Sequence, residues 1–392
     1  MISIAIAGKP NSGKSTFFKA STLANVEIAN YPFTTIGANH GVSYIRTKCP
    51  CLELSERCNN CNDGNRFVPI ELIDVAGLVP DAHKGRGLGN EFLDHLRQAQ
   101  AIIHIIDASG GTDIEGNPTE IGSHDPLDDI TFLEDEIAMW IHGILSRRWT
   151  QLAKKAQSEG LKIEHVISEQ LGGVGVSDLD AKLAIAEVGL DRDRPHVWTD
   201  EDMVNLSKSI RAINKPMIIV ANKVDVAPKE NIENLKGLNR TVISCSSEAE
   251  LVLRMADKAK LIEYLPGDSS FKILSEEITK KQLNALEHVK DLLERFGSTG
   301  IQESLNSAVY GLLDQIVVYP VEDENKYCDS NKNVLPDAFL MTKGSTPHDM
   351  AYKVHSDIGD SFLYAVDARS KRRMGEKHIL EDGDVVKVVS TR

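Results

Sequence analysis

Residues 2 to 18, ISIAIAGKPNSGKSTFF, constrain this chain more than any other stretch in it. The isoleucine-rich run reads as a buried strand. It passes directly into Gly8-Lys-Pro-Asn-Ser-Gly13-Lys14-Ser15 and then into a helical pattern opening near Thr16. Strand, glycine-rich turn and helix in that order make a phosphate cradle. Glycine lets backbone N–H groups turn inward with no Cβ in the way, and the helix N-terminus adds partial positive charge. Lys14 is expected to reach the β- and γ-phosphates of a nucleotide and Ser15 to ligate Mg²⁺. Asn11, Ser12, Gly13 and Thr16 complete the expected lining.

Four later stretches follow in the order that GTP chemistry requires. Tyr31-Pro-Phe-Thr34-Thr35 lies in a loop after the first helix, where Thr35 would complete the Mg²⁺ shell and sense the γ-phosphate. Asp74-Val-Ala-Gly77 follows a strand; Asp74 can hold Mg²⁺ through water, and the Gly77 amide can meet the γ-phosphate. Asn222-Lys223-Val-Asp225 follows the buried strand MIIVA. A carboxylate there can accept two hydrogen bonds from N1 and N2 of guanine, whereas adenine would leave Asp225 unpaired. Ser244-Cys245-Ser246 could present a backbone amide to the guanine O6.

The stretch DVAGLVPDAHKGRGLG carries a departure. After Asp-x-x-Gly a Ras-like enzyme places the glutamine that orients water, and this chain has Leu78. Leucine can neither donate nor accept a hydrogen bond, so hydrolysis needs another group. His83 sits among Gly85, Gly87 and Gly89, and an unperturbed imidazole can donate or accept near neutral pH. It is the expected catalytic residue, beside Lys14, Thr35 and Gly77; Arg86 is a weaker candidate.

Strands at 2–7, 40–46, 67–75, 101–107, 216–222 and 240–244, mostly separated by helices, predict a doubly wound, mostly parallel α/β domain with ligands at the carboxyl ends of its strands. The second and third strands are too close for a helical crossover and are expected to form an antiparallel hairpin. With 392 residues the chain has length for several domains. The expected division is a GTPase domain at 1–115 and 205–265, a helical insert at 116–204, a helical connector at 266–315 and a small terminal domain at 316–392. MISIAIAGKP is not a signal peptide, and the absence of a long apolar run argues against a membrane protein. A cytoplasmic monomer is expected. The net charge of −14 argues against broad non-specific nucleic-acid binding by the whole surface, and no sequence-specific DNA recognition is expected.

Together GKPNSGKS, NYPFTTI, DVAGLVPDAHKGRGLGNEFLDHLR and NKVD resemble the Obg superfamily of P-loop GTPases, and within it the YchF branch. The resemblance implies a Ras-like GTPase acting as a switch, with ribosomes or RNA-containing complexes as partners. Hydrophobic residues at the Leu78 position are usual in that superfamily, and the resemblance to some related GTPases implies a second hydrolytic candidate in Asn11, which would help to hold a K⁺ ion near the phosphates. Many YchF members have a changed fourth signature and prefer ATP; Asn222, Lys223 and Asp225 keep the guanine-reading form, so GTP and GDP are the expected ligands. The segment from Ile316 resembles a TGS domain, a β-grasp module for RNA or protein recognition. The cluster Arg369-Ser-Lys371-Arg372-Arg373 within it could meet RNA phosphates or a protein, or be a solvated loop.

Two features remain open. Ile130, Leu133, Ile137, Trp140, Ile141 and Ile144 mark an insert helix with one apolar face, either a packed subdomain or a partner-binding arm. Cys49, Cys51, Cys58 and Cys61 fall between the hairpin strands, where two close pairs could set four thiolates about Zn²⁺ or remain free thiols.

Overall fold

A computed structural model describes residues 1–23, 39–54, 58–81, 95–275 and 277–391. The apolar run at the N-terminus is strand β1 (Ser3–Ala7), the inner strand of a six-stranded sheet. β2 (His40–Lys48) and β3 (Asn65–Asp74) form the antiparallel hairpin expected from their short separation. β4 (Ala101–Asp107), β5 (Met217–Asn222) and β6 (Val242–Ser244) run parallel to β1 and β3, giving the order β2-β3-β1-β4-β5-β6. Every residue of β4 is buried, as befits a strand covered on both faces. His104 at its centre is fully buried, and desolvation lowers its pKa to about 3, so the ring is neutral.

One face of the sheet is covered by helices that follow β4. Pro126–Ser146, Trp149–Glu159, Ile163–Leu171, Asp178–Val188 and Asp200–Asn214 succeed one another with short connections. Leu133, Ile137 and Ile141 of the first share a core with Ala5, Ala7, Ile73 and Ile102 of the sheet. The apolar stripe read from the sequence thus faces the GTPase domain and the rest of the helical layer. Asp125 caps the first helix, and Ser177 and Thr199 open two others with reciprocal capping boxes. The helix Asp200–Asn214 runs through residue 204 and packs against Pro126–Ser146, so the chain returns to the sheet at β5.

The opposite face carries the helix Lys14–Thr22 and the segment Ile301–Asn306 with its following turn. Beyond these lies a second, five-stranded sheet of β7 (Gln315–Val321), β8 (Phe339–Thr342), β9 (Phe362–Asp367), β10 (Arg373–Met374) and β11 (Val385–Ser390), ordered β8-β7-β11-β9-β10. Thr346 caps the helix Pro347–Val354, with proline at its first position, where the missing N–H costs nothing. That helix ends at His355, and Ser356–Asp360 forms a separate turn. β7 serves two cores by its alternation. Ile316 and Val318 face the small domain, whereas Val317, Tyr319 and Val321 join the core of the six-stranded sheet. Among the described residues, no helix is long and apolar enough to cross a membrane.

In the helical layer Trp149 stacks on Trp198 with ring centroids 5.2 Å apart, and its indole N–H donates to the Pro195 carbonyl. Trp149→Ala is expected to cost about 3–5 kcal/mol. A thermal melt should show the loss, with nucleotide affinity little changed because the pair lies away from the strand ends.

Candidate functional site: a phosphate cradle joined to a base-reading turn

The cradle lies at the carboxyl end of β1. Gly8, Asn11 and Gly13 take positive φ values of 151°, 59° and 97°, which fold the loop back on itself. A Cβ at Gly8 would stand 2.2 Å from the Ile105 carbonyl oxygen, and one at Gly13 2.1 Å from Nδ2 of Asn222. These two glycines are required by close approach as well as by conformation. The helix that follows starts at Lys14, so the N–H groups at its first turn face the cradle.

The side chains here are poorly satisfied by the protein itself. The buried Ser12 hydroxyl has no hydrogen-bond partner. Lys14 is buried, its amine donating to the Lys9 carbonyl at 2.7 Å. Desolvation lowers its pKa to about 8, opposed by the Asp74 carboxylate. The Ser15 hydroxyl donates to Asp74 Oδ2 at 3.2 Å. Burial raises the pKa of Asp74, against the hydrogen bond from Ser15 and the charge of Lys14. An orphaned hydroxyl, a desolvated ammonium and a serine–aspartate pair fit a phosphate chain with Mg²⁺. Ser15 and Asp74 are the described residues that could hold the metal.

Asn222 joins this cradle to the second recognition element. Its Nδ2 donates to the Ser12 carbonyl at 2.9 Å, while its Oδ1 accepts from the Ser247 N–H at 3.0 Å and hydroxyl at 2.9 Å. Lys223, at φ 63°, donates to the Asn11 carbonyl at 2.8 Å and to Asp107 at 2.7 Å. Asp225 follows on the same turn with its carboxylate exposed. Within Ser244-Cys245-Ser246, read as offering an amide to the guanine O6, the Cys245 N–H donates to the Ala221 carbonyl at 2.8 Å and the Ser246 N–H to the Thr299 carbonyl at 2.9 Å.

The Gly77 backbone packs on Pro10, where a Cβ would be 3.0 Å from the ring. The Leu78 N–H donates to the Gly8 carbonyl at 3.2 Å. Its side chain is 4% exposed and belongs to the core shared with Leu96, Leu133 and Ile137. The residue standing where glutamine would orient water is therefore a core residue of the helical layer. Thr34, Thr35, His83 and Arg86 lie outside the described residues.

Sequence reasoning missed the loop after β4. Asp107 accepts from Lys223, Ser109 and Thr112, which hold its pKa down against its burial. Lys9 pairs with the buried Asp129 at 2.9 Å and donates to the Thr112 carbonyl. The Asn11 amide donates to the Gly116 carbonyl at 3.0 Å, which ties the residue considered for K⁺ to this loop. A lysine inside the cradle and an aspartate at a strand end were the available signals. A second omission is Thr299-Gly300. Gly300, at φ 86°, sits so close to Ser244 that a Cβ would be 2.1 Å from its carbonyl oxygen. The Gly-Ser-Thr-Gly run at 297–300 was the sequence signal for that contact.

The four hairpin cysteines come together, their sulfurs all within 4.8 Å of one another. Arg369 makes a bidentate ion pair with Glu53 at 2.7 and 2.9 Å, and Arg373 lies over the Tyr364 ring at 4.3 Å. Lys371 donates to the Glu324 and Ala368 carbonyls, so three members of the basic cluster are engaged within the protein.

Comparison with known proteins agrees with this architecture. Residues 3–136 match the family described as 50S ribosome-binding GTPase, and residues 220–323 the G4 motif-containing domain of Obg-like GTPase, YGR210-like. Residues 331–390 match the TGS domain. The chain is 50% identical over 398 residues to an uncharacterized GTP-binding protein of Methanocaldococcus jannaschii, covering 100% of this chain and 99% of the other. It is 27% identical to the ribosome-binding ATPase YchF of Bacillus subtilis, covering 98% of each. The crystal structure of a GTP binding protein from Pyrococcus horikoshii superposes with a TM-score of 0.79 at 43% identity, covering 100% of both chains.

The state of Lys14 has a measurable consequence. Its folded-state pKa of about 8 lies below the ordinary 10.5, so the nucleotide-free fold carries a cost for the buried charge below pH 8. That cost is relieved as pH rises from about 8 toward 10.5, where the unfolded state binds the extra proton. Lys14→Met should therefore raise stability at pH 7 by roughly 3 kcal/mol while abolishing nucleotide binding. Denaturant titrations of both proteins across that pH range should show the difference fading toward alkaline pH.

Proposed function

Because the chain belongs to the Obg-like GTPases of the YchF type, we propose that it binds GTP with Mg²⁺, hydrolyses it to GDP and phosphate, and acts as a molecular switch on ribosomes or other RNA-containing complexes. The observation that carries this reading is the double engagement of Asn222, which makes the phosphate cradle and the turn bearing Asp225 one rigid unit. Asp225 would accept the N1 and N2 hydrogens of guanine. Lys14 would exchange the Lys9 carbonyl for phosphate oxygens, and the unpartnered Ser12 hydroxyl and loop amides would line the chain. Ser15 and Asp74, with Thr35, would hold Mg²⁺, which supplies charge neutralisation on the phosphates.

Leu78 supports a hydrolytic step that does not use the usual glutamine. In its place we propose His83, with a K⁺ ion near Asn11 as a second contribution and the Gly77 amide on the γ-phosphate. The order of Thr35 and Gly77 around the terminal phosphate would be the switched quantity. The TGS domain and helical layer would transmit it; the ribosome is suggested by the printed name of the Bacillus relative. The four hairpin thiols are read as a structural Zn²⁺ site that serves the fold and not the reaction.

A second reading, a nucleotide-gated binding module with incidental turnover, is favoured by the burial of Leu78. An ATPase activity, as that relative's name states, is opposed by Asp225. Hydrolysis of GTP by purified protein in KCl and in NaCl, with and without ribosomes, separates these. The switch predicts a slow basal rate, higher in KCl and raised strongly by ribosomes. No stimulation by ribosomes would remove them as the partner. His83→Ala should suppress the stimulated rate with GTP affinity unchanged. Asp225→Asn should weaken GTP on the order of 10²-fold without improving ATP, and ATP outcompeting GTP in the native protein would defeat the guanine assignment.

A further inference from the structure

The hairpin of β2 and β3 extends away from the phosphate cradle, and its tip ends against the second sheet. Among its described residues the tip has little regular structure of its own: one short helical turn at Pro50–Glu53 and an isolated bridge between Asn62 and Asn65. What organises it is the cysteine cluster. Cys49, Cys51 and Cys58 are buried, and Cys61 is partly exposed. Sγ of Cys49 is 3.5 Å from that of Cys58, and Sγ of Cys51 is 3.4 Å from that of Cys61. Four thiolates around Zn²⁺ at Zn–S of about 2.3 Å define a tetrahedron with edges of about 3.8 Å. A disulfide requires about 2.05 Å. The sulfurs stand at the spacing of a tetrathiolate site.

The backbone around them points the same way. Cys49 accepts a hydrogen bond from the backbone of Cys51, Cys58 from that of Asn60, and Cys61 from that of Gly64. Amides aimed at sulfur favour thiolate over thiol and are the usual second layer of a thiolate metal site. Cys245 and Cys328 lie apart from the group.

The same short segment makes much of the polar contact between the two sheets. Asn60 donates to the Leu335 carbonyl at 3.1 Å. Arg66, buried at the base of the tip, donates to the carbonyls of Leu335 and Pro336 at 3.1 and 3.0 Å. The Tyr319 hydroxyl donates to the Lys48 carbonyl, and Arg369 pairs with Glu53 through both oxygens. Cys49, Cys51 and Cys58 share one core with Tyr319 of the second sheet and with Tyr327 and Leu335 of the loop between its first two strands.

We propose that this four-cysteine centre, loaded with zinc, is the clasp that fixes the TGS domain to the GTPase domain. The inference rests on the zinc reading of the cluster and adds that the metal determines inter-domain attachment. Metal binding supplies the ordering of the tip, and the ordered tip presents Glu53, Asn60 and Arg66 to the second sheet. Loss of zinc then loosens the contacts around Tyr319 and residues 327–336 without touching the cradle at the far end of β1.

The test uses the full-length protein. Metal analysis should find about one zinc per chain, as for a closed four-ligand site. Removal with a chelator should accelerate amide exchange in residues 58–66, in Tyr319 and in residues 327–336 by about tenfold or more. The cradle at 8–15 should be unaffected, and added Zn²⁺ should restore protection. Cys61→Ser, which removes the least buried ligand, should yield zinc to chelator at lower concentration and show the same local exchange. One zinc per chain whose removal leaves exchange at 327–336 unchanged would overturn the clasp and keep the metal site. A metal-free protein with four titratable thiols, or with a mass four hydrogens lower from two disulfides, would overturn the zinc reading itself.

Discussion

The structure depends most on the side chain of Asn222. It stands at the end of β5, facing a glycine that has no room for a Cβ, and its two polar ends tie the loop after β1 to the loop after β6. Three strands must therefore end at a common level. The parallel ladders among β1, β4, β5 and β6 achieve this, with the inner strands buried on both faces. Lys223 adds a second tie, from the base-reading turn to the cradle and to Asp107. A site assembled from strand ends that are already locked together needs little reorganisation when a ligand arrives.

The two faces of the sheet have different tasks. The helical layer takes in Leu78, so the segment following Asp74 is anchored in a core rather than left at the phosphate. Any rearrangement of that segment has a route into the layer through Leu78, and one through Lys9 and Asp129 into the helix Pro126–Ser146. The opposite face is continuous with the second sheet through Val317, Tyr319 and Val321. The TGS domain is thus packed into the GTPase core and not tethered by a linker alone.

Much of this was legible in the residues. The six strands, the β2–β3 hairpin, the caps at Ser177 and Thr346 and the apolar stripe around Leu133 follow from local pattern, because burial imposes a period on the sequence. The cradle and the Asn222–Asp225 turn were legible because phosphate and guanine each demand fixed residue types at short spacing. The roles of Asp107, Asp129 and Thr299 were not, since each depends on partners far along the chain. The partners of the Cys245 and Ser246 amides were not legible for the same reason: they are set by the neighbouring strand and by Thr299.

The sequence by itself determined the family, the order of elements, the chemistry of the cradle and the presence of four cysteines near one turn. Those are properties of short segments, whose side chains and backbone preferences act over a few residues. Only the tertiary structure decided that Leu78 is a core residue, that Arg369 is spent on Glu53, and that the cysteine sulfurs meet at metal-binding spacing beside the second sheet. Each of these is a contact between segments distant along the chain or across a turn. Such contacts are set by the shared burial of apolar surface and the pairing of every buried polar group, and neither is a property of any one segment.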